Sequence, residues 1–390
     1  MSTAFRIAVV TPLFPIRSEP HRGQPIYRTV LELQRWASVE VVYTTARYLE
    51  WKWLRPASYI YRAADLDYSP DGVKVHYAIY AAYPLLSRPF NAVFCSRAVL
   101  PVLRAIHPDV VLAYWIHPEG SGALSAGRRL GVPVVVGSRG TDLNRPPDPL
   151  SYRLMRQTLR NADFVITVSP QLTRRAIELG VRPEHVQTIL NGCDSSIFRP
   201  RSLREARATL GIPPEAQLIL YVGHLVAHKG VSELAEAFLR LAGSHPRLML
   251  SCVGEGSLRP ELERRFTEAG LDRRTLFPGA LPALEVARWM NAADLLCLPS
   301  HAEGCPNVVL EALASGRPVV ATNVGAIPDL VDSESGILIP CCQPEALATA
   351  LESAFERSWD EQALAARCSR SWQQVAEETF RVCERLARRS

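Results

Sequence analysis

Gln217-Leu-Ile-Leu-Tyr-Val-Gly-His-Leu-Val-Ala-His-Lys-Gly230 decides the fold. Its first six residues, rich in branched and aromatic side chains, read as a buried strand; Gly223 and Gly230 bound a loop, and an amphipathic stretch to residue 242 reads as a helix. This opens an alternation: strand 247–253, helices 258–269 and 284–291, strand 294–298, helix 306–314, strand 318–321. It is the second such opening in the chain. The first begins with Arg6-Ile-Ala-Val-Val-Thr11, a loop carrying Gly23 and a helix over 24–36. Strands follow at 39–44, 73–78, 109–115, 132–136, 163–168 and 186–190, with helices at 91–106, 120–130 and 170–179. Alternating strand and helix means a doubly wound parallel sheet, so the expected class is α/β with two Rossmann-like domains facing across a cleft.

The length of 390 residues suits two domains of ordinary size. Asn191-Gly-Cys-Asp-Ser-Ser-Ile-Phe-Arg-Pro200, with turn residues at its start and Pro at its end, reads as the hinge. The expected domains are 1–192, 193–368, and a last helix over 372–388 within a tail 369–390 that crosses back to the first domain. Apolar residues at 47% and charged ones at 21% exclude disorder and coiled coil. No apolar run is long enough for a membrane span and the first residues lack the core of a secretion signal, so a cytosolic address is expected. The nine cysteines include no C-x-x-C pair, and Cys341 and Cys342 are adjacent. Buried reduced thiols are expected rather than a disulfide framework or a zinc site.

Charge is uneven. Residues 1–195 hold 23 basic against 15 acidic side chains, while 196–390 hold 21 against 24, so the halves should meet different partners. Only three of the 44 basic residues are lysines, and Lys229 is the only lysine of the second half. A lysine kept among so many arginines suggests a place for a compact ammonium where a planar guanidinium does not fit.

His301-Ala-Glu-Gly-Cys-Pro-Asn-Val-Val-Leu-Glu311 places Glu303 and Glu311 on either side of a helix start. Pro306 suits the first helical position, and Cys305 before it caps poorly, which leaves the N–H groups of Asn307 and Val308 to an outside anion. An anion at a helix N-terminus flanked by hydroxyl-binding carboxylates describes a sugar nucleotide.

This segment resembles the E-x7-E signature of the retaining glycosyltransferases of the GT-B fold, family 4. The resemblance extends to Val253-Gly-Glu-Gly256, Asn291-Ala-Ala-Asp294, Gly316-Arg-Pro-Val-Val-Ala-Thr-Asn-Val-Gly325 and the 372–388 helix. It implies that Glu311 holds the nucleotide ribose, that Glu303 contacts the donor sugar, that the Asn307 and Val308 backbone binds the diphosphate, and that Lys229 neutralises it as it leaves. His224 stands where many relatives carry Arg; as a second cation on the diphosphate it would hold the donor less well as pH rises and the imidazole loses its charge. Ala326 departs from the second glycine often seen after Gly325.

In the first half, His117, just past a central strand, matches the family's active-site histidine near the donor sugar. Gly23 matches a glycine whose backbone approaches the diphosphate. Ser138-Arg-Gly-Thr-Asp-Leu-Asn144 resembles the R-G-x-D-x-N loop of a subset active in cell-envelope polysaccharide assembly, of the teichuronic acid type, so Arg139 and Asp142 are expected to touch acceptor or donor sugar.

The expected reaction needs no cofactor and no metal, because no D-x-D pair sits in a suitable strand context, and Lys229 with a helix N-terminus can stabilise the departing diphosphate. The partners expected are a nucleotide-diphosphate sugar and a glycan or lipid-linked acceptor. The aromatic and basic stretch 47–62 suits the inner face of the plasma membrane; nucleic acid is not expected. A non-hydrolysing sugar-nucleotide epimerase is the nearest rival, and would isomerise donor supplied alone. A PLP-dependent phosphorylase would need a Schiff-base lysine, and the second half offers only Lys229, already placed in the phosphate loop. A catalytically inactive GT-B binding protein would have shed His117, Lys229, Glu303 and Glu311.

Overall fold

A computed structural model describes residues 5–48, 66–82, 90–144, 148–368 and 370–389. The chain forms two compact units, one of Met1–Asn191 with Trp372–Ser390 and one of Gly192–Ser371. The aromatic and basic stretch 47–62 lies outside the described residues except for its first two positions. No described helix is long and apolar enough to cross a membrane.

The first unit holds β1 (Arg6–Thr11), β2 (Ser38–Tyr48), β3 (Lys74–Ala82), β4 (Val110–Tyr114), β5 (Val134–Ser138), β6 (Phe164–Thr167) and β7 (Val186–Thr188). They form one sheet in the order β3-β2-β1-β4-β5-β6-β7, every pair parallel. β4 and β5 are buried along their whole length, as continuous apolar runs covered on both faces must be. The C-terminal helix Trp372–Ala387 completes this core with Trp372, Val375, Ala376, Val382 and Cys383. On it, Phe380 meets the edge of Phe5 and stacks on Trp36, with ring centroids 5.5 and 6.0 Å apart.

The second unit holds β8 (Gln217–Val222), β9 (Leu248–Val253), β10 (Thr275–Gly279), β11 (Leu295–Leu298), β12 (Val319–Thr322) and β13 (Gly336–Ile339) in the order β10-β9-β8-β11-β12-β13, again all parallel. Its Asn291-Ala-Ala-Asp294 motif is structural. Asp294 Oδ2 accepts from the Leu218 N–H at 2.6 Å and from Arg207 Nη2 at 2.7 Å, and Asn291 Oδ1 accepts from the Arg201 N–H at 2.7 Å.

Several elements were not legible in sequence. β10 contains Pro278, which withholds a ladder donor and is tolerated because β10 lies at the sheet edge, where its register also shifts. β13, at the other edge, is four residues long and starts on glycine. Helices Pro149–Asn161, Leu203–Leu210 and Pro344–Glu356 were also unread. Two of them carry side-chain caps, Asp148 accepting from the Ser151 N–H and Ser202 from the Glu205 N–H. The first helix stops at Leu33, short of residue 36, because the carbonyl of Leu33 turns to accept from Trp36 and Ala37 in a closing turn.

Candidate functional site

In both sheets the strand order reverses once, between β1 and β4 in the first and between β8 and β11 in the second. Doubly wound sheets bind ligands outside the carboxyl ends of the strands at such a reversal, where neighbouring loops part in opposite directions. The candidate residues cluster at these two places.

In the second unit, β8 runs into the loop bearing His224 and Lys229, and β11 into the loop bearing Glu303. Lys229 Nζ donates to Glu303 Oε1 at 2.6 Å, with side chains 22% and 10% exposed. Two residues read separately from sequence are thus one ion pair over the reversal. His224 is exposed, and its carbonyl accepts from the Tyr221 hydroxyl at 2.9 Å, which shapes the loop. Gly325 sits at φ +62, where a Cβ would come within 2.4 Å of the Glu303 carbonyl oxygen, and the Ala326 N–H donates to the Gly304 carbonyl at 2.8 Å. The Gly325–Ala326 turn therefore buttresses Glu303 from behind. Ala326 is right-handed at φ −87 and fully buried, so no second glycine is required.

The helix after this loop begins at Asn307, one residue later than expected. Pro306 is its N-cap, extended at ψ 114, and not its first helical residue. No side chain caps the helix, whose first turn starts with Asn307 and Val308. Glu311 lies one turn further, and the surrounding protein pushes its carboxyl up to about 7 by desolvation.

In the first unit, β4 leaves the sheet through Trp115, left-handed at φ 81, into a π-type turn Ile116–Gly120. This turn carries His117, whose Nδ1 is 2.8 Å from Ser121 Oγ; that hydroxyl is in turn 2.5 Å from Thr158 Oγ1. The imidazole is held by a chain of hydroxyls reaching the Pro149–Asn161 helix. Gly23 is the left-handed N-cap of the first helix, and a Cβ there would approach the Leu13 carbonyl oxygen to 2.4 Å. Packing of the unit's own loop is thus sufficient to demand glycine at this position.

Asp142, expected to touch acceptor or donor sugar, is bonded within its own unit. Its Oδ1 accepts from Ser138 Oγ at 2.8 Å and from the N–H groups of Gly140 and Leu143, and its Oδ2 accepts from the Ile116 N–H at 3.1 Å. It is buried, and its carboxyl lies above the ordinary range through desolvation, which these hydrogen bonds oppose. With its oxygens so engaged, Asp142 fastens the loop after β5 to the turn bearing His117. Arg139 donates to Asn191 Oδ1 at 2.7 Å and lies over the Tyr114 ring, so this side chain also serves its own unit.

Two charged residues escaped the sequence reading. Arg22 is 1% exposed and donates from Nη2 to the Pro12 carbonyl at 3.1 Å, bracing the loop after β1. Glu119, two residues after His117, is fully buried, and its Oε1 accepts from the Tyr80 hydroxyl at 3.2 Å. Its Oε2 makes no hydrogen bond among the described residues. Burial, aided by the Asp142 charge and opposed by the Tyr80 hydrogen bond, pushes the carboxyl up to about 8, so it is largely neutral at pH 7. The signal was an acid beside Pro118 and Gly120 directly after an apolar strand.

Comparison with known proteins gives matches over both units. Residues 203–372 match the family profile of glycosyl transferases group 1 and residues 23–192 that of a glycosyl transferase 4-like domain. TuaC of Bacillus subtilis (strain 168), named for teichuronic acid biosynthesis as a glycosyltransferase, is 30% identical over 358 residues, covering 89% of this chain and 88% of the relative. Sucrose-phosphate synthase from Thermosynechococcus elongatus superposes with a TM-score of 0.74 at 21% identity over 99% of this chain and 100% of that one. Anabaena HepE, in a complex with UDP and glucose, superposes with a TM-score of 0.73 at 19% identity over 98% of this chain and 100% of that one.

Proposed function

The chain belongs to the group 1 glycosyltransferases and has their GT-B architecture of two Rossmann-like domains; on that premise we propose that it moves a sugar from a nucleotide diphosphate, with retention and without a metal, to a glycan or lipid-linked acceptor of cell-envelope polysaccharide assembly. The observation that carries this reading is the Lys229–Glu303 pair over the reversal of the second sheet, beside an uncapped helix start and an enclosed Glu311. The similarity to TuaC supports the polysaccharide setting, and the UDP complex of HepE supports a nucleotide-sugar donor.

The chemistry follows from where charge develops. As the glycosidic bond to the diphosphate breaks, negative charge grows on the leaving phosphate and positive charge on the anomeric carbon. Lys229 and the first-turn N–H groups at Asn307 and Val308 answer the former, with the His224 imidazole as a further donor, and preorganised donors of this kind do the work a divalent ion does elsewhere. Glu303 accepts from donor-sugar hydroxyls and Glu311 from the ribose. His117 is the group of the first unit assigned to the sugar in its transition state. Retention follows from attack on the face the diphosphate leaves, with the diphosphate taking the acceptor's proton, so neither glutamate serves as a covalent nucleophile, unlike in a retaining glycosidase.

The test is a thermal-shift screen with UDP-, GDP-, ADP- and TDP-sugars, followed by turnover of the stabilising donor with and without EDTA and by NMR of the product's anomeric centre. One stabilising donor, EDTA-resistant turnover and a retained anomer are expected. Isomerised donor in the absence of acceptor would instead establish the epimerase.

A further inference from the structure

The spacing of the nine cysteines gave no reason to expect a metal site, yet folding gathers metal-binding side chains that are far apart in sequence. Glu233, in the first turn of helix Val231–Ala242, His301, in the loop before Glu303, and Cys342, just after β13, bring a carboxylate oxygen, an imidazole nitrogen and a thiol sulfur within 4.8 Å of one another. His301 Nε2 is 2.7 Å from Glu233 Oε1. Cys342 holds a left-handed backbone at φ 59, uncommon for a residue with a side chain, and its thiol is exposed where an ion can reach it.

We propose that Glu233, His301 and Cys342 form a zinc-binding site, with water in the fourth position, distinct from the residues assigned to the donor. Zn2+ takes nitrogen, sulfur and carboxylate oxygen together in a tetrahedron, with bonds of about 2.0–2.3 Å, so its ligand atoms stand roughly 3.3–3.8 Å apart. The three described donor atoms already lie inside 4.8 Å, so side-chain rotation alone closes the site. A thiolate and an imidazole disfavour the hard cations Mg2+ and Ca2+, which prefer oxygen. On binding, the Cys342 thiol gives up its proton and the imidazole presents the nitrogen that now faces Glu233. The ion would join three elements, and two of these adjoin the donor loops. The His301 N–H donates to the His228 carbonyl at 3.0 Å, next to Lys229, and Glu303 is two residues beyond His301.

The experiment uses the full chain, stripped by dialysis against a chelator and kept reduced. Zn2+ is titrated in competition with a chromogenic chelator, and Co2+ is added separately as a spectroscopic probe. The wild type is expected to bind one equivalent of Zn2+, and its Co2+ form to show intense tetrahedral d–d bands with a thiolate charge-transfer band. His301→Ala and Cys342→Ser should each weaken Zn2+ by about tenfold to a hundredfold, and Glu233→Gln should also weaken it. Unchanged Zn2+ affinity in both His301→Ala and Cys342→Ser, or a Co2+ spectrum lacking the thiolate band, would overturn the site. Circular dichroism of each variant separates lost binding from lost fold. The outcome is independent of the transferase reading, which the donor assays test.

Discussion

Lys229 Nζ and Glu303 Oε1, 2.6 Å apart, join the loop after β8 to the loop after β11 where the order of the second sheet reverses. Each is the other's partner. On the proposed reading a donor would draw the ammonium towards its phosphates and open Glu303 to the sugar hydroxyls, so the pair holds both groups in place in advance.

Lys229→Met should therefore lower kcat by at least about a hundredfold, the scale of losing one preorganised charge at a leaving group. It should also cost about 1–2 kcal/mol of stability, since it leaves a mostly buried carboxylate without its cation. Lys229→Arg keeps the charge but changes its shape. Steady-state kinetics of the Arg variant near wild-type values would show that a compact ammonium is not required.

Glu311 supplies a pH test. Its carboxyl is pushed up to about 7 by burial, so below that pH it must shed a proton before it can accept from two ribose hydroxyls. Nucleotide affinity, taken as the ratio of wild type to Glu311→Gln, should rise by about tenfold between pH 6 and pH 8. The ratio cancels any trend common to both proteins, including one from His224. Calorimetric titration with the stabilising nucleotide at three pH values measures it, and a flat ratio would remove Glu311 from the ribose.

Buried Glu119 predicts the opposite of ordinary acid denaturation. Its folded carboxyl, at about 8, lies above the unfolded value of 4.5, so the stability it contributes is fully present below 4.5 and is lost as pH rises through about 8. Glu119→Gln keeps the shape and the acceptor for the Tyr80 hydroxyl while removing the titration. Urea unfolding should find the variant little changed at pH 4.5, and more stable than wild type at pH 9 by on the order of 4 kcal/mol.

Asp142→Ala deletes an acceptor that serves Ser138, Gly140, Leu143 and the Ile116 N–H. A loss of about 2–4 kcal/mol is expected in urea unfolding, the cost of stranding buried donors. Activity should fall through kcat, because the Ile116 N–H adjoins His117, and donor binding to the second unit should be unchanged. A variant of normal stability and weakened acceptor binding would return Asp142 to the sugar contact first expected of it.

Most of the elements that position the site were legible because each is a strand buried on both faces or a helix with one apolar face, and both leave a periodic trace. β4, with five consecutive buried residues, needs little context to be read. β10 and β13 left no such trace, since both are short and half covered. The helix Pro149–Asn161 was missed although Asp148 announces it, and with it went Thr158, the far end of the hydroxyl chain behind His117.

By itself the sequence determined the class of fold, the two parallel sheets, and the residue types that a diphosphate and a sugar demand. Those follow from local periodicity, from glycines and prolines at turns, and from motif spacing, all of which act over a few residues. Tertiary structure alone decided which residues are neighbours. It joined Lys229 to Glu303 across 74 positions, turned Asp142 inward onto backbone donors, sealed Glu119 away from water, and set Cys342 beside Glu233 and His301. Contact, charge state and metal affinity depend on distance and desolvation, and neither is fixed until the sheets have formed.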